Sequence, residues 1–237
     1  MPAPASAPQE SNPSRTYFAE QGEDVIIAKI FESLHIERPT YLDVGAFDPV
    51  KDNNTYLLYT RGSQGVLVEP NPVYAERLRS VRPRDKVLGV GIGVTEQREA
   101  DYYVIEGAPE LNTFSKADAD VLAATRGPQA IQQVLKLPLV NINTVIAKNL
   151  GSTPDLLSID VGGLDLAILK TLDFKKYRPP VICVETVVEG THEQNDEIFA
   201  FLAAKGYLIR GMTFINTVFV DLQRLQLLRP GNQRVPR

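Results

Sequence analysis

Cysteine is almost missing from this 237-residue chain, and the single one, Cys183, excludes an internal disulfide. No C-x-x-C pair exists, so the usual zinc frameworks are excluded as well. Cys183 lies inside Val181-Ile-Cys-Val184, where a reduced core thiol is expected rather than a nucleophile. Positive charge is also short: 25 Lys and Arg stand against 29 Asp and Glu, a net charge of -4. A phosphate-rich partner needs a basic patch, so a nucleic-acid surface is not expected. The densest basic cluster, Arg77-Leu-Arg79 through Arg82-Pro-Arg84, reads as a solvated helix end and loop. No apolar run reaches the ~18 residues of a membrane span. The N-terminus lacks the basic start and apolar core of a signal peptide, so a cytoplasmic protein without membrane contact is the expectation. Two nucleotide signatures are missing too, G-x-G-x-x-G and G-x-x-x-x-G-K-[ST].

What is present is ordinary in bulk. The chain is 43% hydrophobic and 23% charged, which suits a soluble globular protein with a sizeable core. Its length allows one to two domains, and an α/β sheet of this size is commonly one. A homo-oligomer is compatible with the sequence.

The informative stretch is Pro39-Thr-Tyr-Leu-Asp-Val-Gly-Ala-Phe-Asp48. Tyr41, Leu42 and Val44 form a short apolar run that carries Asp43 and ends in Gly45, the pattern of a buried parallel strand meeting a ligand-binding turn. A second run, Gly65-Val-Leu-Val68, ends in Glu69, where an acid is placed to take the two hydroxyls of a ribose. The turn Asp43-Val-Gly-Ala-Phe-Asp48 has one glycine and two acids, which repel phosphate. The expected cofactor is therefore a nucleoside without phosphates and with a cationic portion, which S-adenosylmethionine satisfies and a nicotinamide dinucleotide does not.

Residues 1–15, rich in Pro, Ala and Ser, read as a disordered leader. Gly22-Glu-Asp24 starts a helix with its acids in the first turn, and Val25, Ile26, Ile30, Phe31 and Leu34 give its apolar face. Asp52-Asn-Asn-Thr55 leads into a helix at Tyr56-Leu-Leu-Tyr59, with Asn53, Asn54 or Thr55 expected to cap it or to bond a ligand. After Glu69-Pro-Asn-Pro72, proline suits the first turn of a helix to about Val81. Val87-Leu-Gly-Val-Gly-Ile-Gly-Val94 reads as a third strand whose glycines, Gly91 among them, allow close approach of an adenine or a packed helix.

A strand-like run at 100–105, a polar helical region over about 116–134 and a second run at 137–142 make an insertion or lid-like section over about 100–142. Pro138 marks an edge there. Two further apolar strands end in acids, Leu156-Leu-Ser-Ile-Asp160 and Val181-Ile-Cys-Val-Glu185. A helix from about His192 to Lys205 and a closing hairpin at Tyr207–Ile209 and Thr217–Val220 complete a domain over 16–224, with 225–237 as a tail. Strands alternating with helices make an α/β fold. Four acids, Asp43, Glu69, Asp160 and Glu185, then lie at strand carboxyl ends, where open α/β sheets bind ligands.

These landmarks resemble the FkbM family of S-adenosylmethionine-dependent methyltransferases from about Tyr17 to Val220. The resemblance rests on Gly22-Glu-Asp24, Leu42-Asp-Val-Gly-Ala46, Asn54-Thr-Tyr-Leu-Leu58 and Val68-Glu-Pro-Asn-Pro72. It continues through Leu111-Asn-Thr-Phe-Ser115, Leu157-Ser-Ile-Asp-Val161 and Val184-Glu185. It implies a class I methyltransferase fold, Rossmann-like, with a seven-stranded, mostly parallel sheet whose last strand is antiparallel. It also implies O-methylation of a hydroxyl on a sugar or natural-product acceptor. Glu20, Asp43, Gly45, Ala46, Asn54, Thr55, Glu69, Pro70, Asn71 and Gly91 are the expected cofactor residues, and Asn112, Thr113 and Gly162 the expected acceptor residues. Asp160, Glu185 and His192 are the candidates for removing the hydroxyl proton, with Mg2+ on Asp160 and Glu185 as an option. Where the family reads D-V-E-G this chain has Asp160-Val-Gly-Gly163. The glycine at 162 leaves open a catalytically impaired protein that holds its ligands without turnover.

Overall fold

The computed structural model describes residues 17–187 and 193–227. Its elements run α1 (Glu23–Ser33), β1 (Tyr41–Val44), α2 (Tyr56–Thr60), β2 (Gly65–Val68), α3 (Pro72–Val81), β3 (Lys86–Leu88), β4 (Gly91–Ile92), β5 (Glu99–Ile105) and α4 (Lys116–Arg126). They continue with β6 (Ile131–Val140), α5 (Ile142–Asn149), β7 (Leu156–Ile159), α6 (Asp165–Thr171), β8 (Val181–Glu185), α7 (Asp196–Ala204), β9 (Tyr207–Met212), β10 (Asn216–Asp221) and α8 (Leu222–Leu227).

Short apolar runs become strands here because helices cover both faces of the sheet, so inward and outward positions are equally dry. Every residue of β1 and β7 is buried. Leu42, Val44, Leu157, Ile159, Ile182 and Val184 pack one face against Ile142, Val145 and Ile146 of α5, Ile168 and Leu169 of α6, and Ile198 and Leu202 of α7. Tyr41, Leu67, Leu156, Val181 and Cys183 pack the other against Ile27, Ala28 and Phe31 of α1, with Leu58 and Leu78.

Seven strands lie in the order β3-β2-β1-β7-β8-β10-β9. The first five pair in parallel, and β10 runs antiparallel to both β8 and β9. This is the class I methyltransferase arrangement, with the last strand inserted one place from the edge. The chain leaves β1 in opposite directions, toward β2 on one side and β7 on the other. That reversal marks the place beyond the strands' carboxyl ends where ligands bind in such sheets.

Several local expectations change. The third strand is split: β3 pairs with β2, while Gly91 and Ile92 leave the main sheet and pair in parallel with Leu139 and Val140 of β6. β4, β6 and β5 form a separate three-stranded sheet, whose strands β5 and β6 come from the 100–142 section. The polar region ends as a helix at Arg126, and Ile131–Val140 is strand. Antiparallel pairing with the alternating β5 decides this, and helical reading of the Gln-rich segment fails for want of an apolar face. Pro138 lies where β4 does not reach, so its missing N–H breaks no ladder bond. On α1, Val25 is exposed, and Ile27 and Ala28 are buried in its place. The helix α8 carries order through Leu227, past the expected start of the tail.

Candidate active site

The register sets the site. Val68, Val44, Ile159 and Val184 are level across β2, β1, β7 and β8. Glu69, Asp160 and Glu185 are each the next residue, so they share one level and, by the pleat, one face of the sheet. Asp43 lies on the same face two residues lower, opposite Leu67 and Ser158. Asn216 of β10 pairs directly with Glu185 and joins that row.

At the centre is the turn after β1. Gly45 has φ 83°, and a Cβ there would overlap the Asp160 carbonyl oxygen. The glycine is thus required by the close passage of two strand tips, β1 and β7. The turn is tied to β2 by bonds from the Gly45 and Ala46 amides to the Val68 carbonyl, 3.0 and 3.2 Å. Phe47 follows with φ 46°, unusual for a bulky side chain, and its N–H donates to Glu69 Oε2 at 2.8 Å. The Asn71 N–H donates to Glu69 Oε1 at 2.7 Å, and Asn71 also caps α3 through Val73 N. Pro70 lies between them in the sequence, holding this turn beside the site.

Charge here is mostly negative and mostly buried. Glu69 is 4% exposed, and burial pushes its carboxyl up to about 7 despite the two amide donors. Asp160 is also raised, first by burial, then by the negative charge of Asp165, Glu20 and Asp43, while a hydrogen bond from Asn216 opposes the shift. Burial raises Asp43 too, against bonds from Thr55 and Ser158 and the nearby Arg82 charge. Glu20 is exposed at the edge of this group, close enough to act on Asp160. Glu23 and Asp24, buried at the start of α1, accept from the Gln21 and Phe18 amides and pin the segment that carries Glu20.

Other expected residues are placed differently from one another. Thr55 makes no side-chain cap on α2; its hydroxyl donates to Asp43 Oδ2 at 2.7 Å, and Asn54 Nδ2 reaches Ser158 Oγ at 3.3 Å. Both residues therefore stand behind Asp43. The space over Gly91 is filled, since a Cβ would sit 2.5 Å from Phe114 Cζ and 2.7 Å from Leu139 Cδ2. Its missing side chain serves packing of the second sheet. Asn112 accepts from the Ile105 amide at 2.8 Å and hydrogen-bonds the buried Tyr102 hydroxyl, while Thr113 pairs through its backbone with Tyr103. Tyr102 lies within electrostatic reach of Glu69, so the second sheet borders the site. Gly162 has φ 61° and follows Val161, whose N–H donates to Asp165 at 3.2 Å. His192 lies outside the described residues. Among the described residues no group of three or more His, Cys, Asp or Glu is arranged to hold a metal ion, so the magnesium expectation at Asp160 and Glu185 gains no support.

Four aromatic residues at the site escaped the sequence reading. Phe47 and Tyr74 stack with centroids 4.3 Å apart beside Glu69, and Tyr102 meets Phe114 at 4.7 Å. Their only sequence signal is the position of Phe47 directly after the glycine turn. Arg82, expected in solvent, is completely buried.

A mostly parallel sheet with this strand order and a row of acids at its switch point is the methyltransferase-type α/β arrangement. The sequence matches the Methyltransferase FkbM domain over residues 43–209, and the chain belongs to that family. No curated protein matches it. Among solved structures it is similar to a TehB-like SAM-dependent methyltransferase from Corynebacterium glutamicum, with 9% identity, 85% of this chain and 88% of that one covered, and a TM-score of 0.44. It is similar also to an O-methyltransferase from Bacillus cereus in complex with SAH, with 13% identity, 88% and 84% covered, and a TM-score of 0.43. Among the described residues no helix is long and apolar enough to cross a membrane.

Proposed function

We propose that this chain is an S-adenosylmethionine-dependent O-methyltransferase acting on a hydroxyl of a sugar or natural-product acceptor. The observation that carries the reading is the level row of Glu69, Asp160 and Glu185 around the Gly45 turn, in a chain of methyltransferase family. The donor set fits the cofactor. Buried carboxylates accept hydroxyl hydrogens and favour a cation, and they disfavour phosphate. Glu69, already oriented by two amides, would take the ribose hydroxyls on its free lone pairs, with Phe47 and Tyr74 beside it offering an aromatic surface.

When bound, the cofactor supplies an electrophilic sulfonium methyl group, which leaves sulfur with the bonding pair staying behind as the acceptor oxygen takes the methyl. The protein's part is to align the acceptor and to accept its proton. Asp160 is our candidate for taking the proton, and two observations support it: its raised proton affinity brings it toward the neutral range in which a base works best, and Asn216 hydrogen-bonds it. Glu185, level with it, is the second carboxylate of the row.

Isotopically labelled S-adenosylmethionine offered with a panel of sugar acceptors tests this. Asp160→Asn is expected to lower turnover by ~100-fold or more while cofactor affinity stays within a few-fold. Wild-type turnover in that variant, or label on nitrogen or carbon, would sink the proposal.

Gly162 favours one second reading, an impaired enzyme that binds without turnover. The loop there is left-handed, which costs a glutamate ~1 kcal/mol but does not forbid it. Gly162→Glu separates the two: a gain of turnover from near zero identifies a methyltransferase lacking one group, and full activity in the native chain removes this reading.

A further inference from the structure

The fully buried Arg82 follows α3, and its guanidinium meets four residues. Nε donates to Asp85 Oδ2 at 2.8 Å, Nη1 to Asn53 Oδ1 at 2.9 Å, and Nη2 to both the Tyr41 hydroxyl and Thr55 Oγ1 at 3.0 Å. A guanidinium has donors only, so both hydroxyls must accept from it and turn their own hydrogens elsewhere. Tyr41 then donates to Asp85, at 2.8 and 2.9 Å to its two oxygens. Thr55 donates to Asp43 Oδ2 at 2.7 Å; its alternative acceptor, Asn53 Oδ1, is farther at 3.1 Å and already receives Arg82 Nη1 and the Thr55 amide.

The same device recurs across the sheet. Asn54 Nδ2 donates to Ser158 Oγ, and Ser158 in turn hydrogen-bonds Asp43. Two hydroxyls, each forced by a nitrogen donor, thus aim at one buried carboxylate.

Stability alone is a poor reason for such an arrangement. A buried ion pair is commonly no better for stability than a packed apolar group of equal volume. What it does supply is one orientation on the residue leading into the Gly45 turn, with hydrogen bonds that oppose the rise burial causes. We propose that Arg82 is a positioning residue for the cofactor site: acting through Thr55, it holds Asp43 in a single orientation beneath that turn. The inference rests on the assignment of Asp43 to the cofactor site made above. The other charged or titratable groups facing Asp43 are Asp85 near Arg82, Glu69 at the tip of β2, Asp160 beyond β7 and Cys183 on β8.

Arg82→Met would leave the buried Asp85 without its cation and threaten folding, so the test breaks the relay at Thr55. Thr55→Val keeps the shape and removes the hydroxyl, and Thr55→Ser restores it. Two readouts are taken: calorimetric affinity for S-adenosylmethionine between pH 6 and 8, and a carbon-13 carboxyl NMR titration of Asp43 in the ligand-free chain, assigned with Asp43→Asn. Thr55→Val is expected to weaken cofactor binding ~10-fold, the value of one strong hydrogen bond. It is also expected to move the Asp43 titration to higher pH, and Thr55→Ser should reverse both changes. A role in stability alone would lower the melting temperature and leave the titration in place. An unmoved Asp43 titration, or equal affinity in all three proteins, overturns the proposal. If the wild type bound no S-adenosylmethionine, the cofactor reading would fall by itself, and the NMR titration would still decide whether the relay acts on Asp43.

Discussion

Burial of the Glu69 carboxyl should make the protein's stability fall as pH rises. This group holds its proton more tightly in the folded chain, up to about 7, than its ordinary value of 4.5. Its contribution to stability is therefore fully present below about pH 4.5 and is lost as pH climbs through about 7. At ~1.4 kcal/mol per unit of displacement, the loss amounts to ~3 kcal/mol. Glu69→Gln removes the titration. The amide can accept from only one of the Phe47 and Asn71 N–H groups, so the variant carries a cost of ~1 kcal/mol or more that does not depend on pH. The observable is thus the difference between two curves. Urea unfolding of both proteins from pH 5 to pH 8.5 should show the wild type losing ~2.5 kcal/mol relative to the variant over that span, the remainder having been lost below pH 5. Added S-adenosylmethionine should flatten the wild-type loss at high pH, because ribose hydroxyls donate to the ionised form. Curves that run parallel within ~0.5 kcal/mol would refute the burial argument.

Three other outcomes follow from the packing. Gly45→Ala places a methyl group on the Asp160 carbonyl in a left-handed backbone, so it should cost at least ~2 kcal/mol in urea unfolding and weaken cofactor binding as β1 and β7 separate. Gly91→Ala overpacks against Phe114 and should cost ~1–3 kcal/mol with the affinity for S-adenosylmethionine unchanged; lost affinity at wild-type stability would return Gly91 to the cofactor pocket. Cys183 is fully buried, and burial raises its thiol well above the usual value. A thiol reagent at neutral pH should therefore leave the native chain unlabelled and take one equivalent only in denaturant.

The sheet was legible because each parallel strand is an apolar run cut off by an acid or a glycine, and burial on both faces leaves no other way to house such runs. The row of Glu69, Asp160 and Glu185 followed from the same ends. Register then did what spacing along the chain cannot: it put Asn216 beside Glu185 and dropped Asp43 two residues below the others. Arg82 was hidden by its neighbours. Arg77, Arg79 and Arg84 surround it in the sequence, and its partners Tyr41, Asn53 and Thr55 lie 27 to 41 positions away. Periodicity sees one helix and cannot weigh bonds of that range. The segment 131–134 failed for a related reason, since its partner β5 makes it a strand while its own polar composition does not.

The central claim, a phosphate-free cationic nucleoside at the β1–β2 tips, is tested most directly by calorimetric titration of the native chain with S-adenosylmethionine, S-adenosylhomocysteine and NAD. Saturable binding of the first two, weakened by Glu69→Gln, with no heat from NAD is the result predicted. Binding of NAD in their place, or of none of the three to the folded chain, would contradict it.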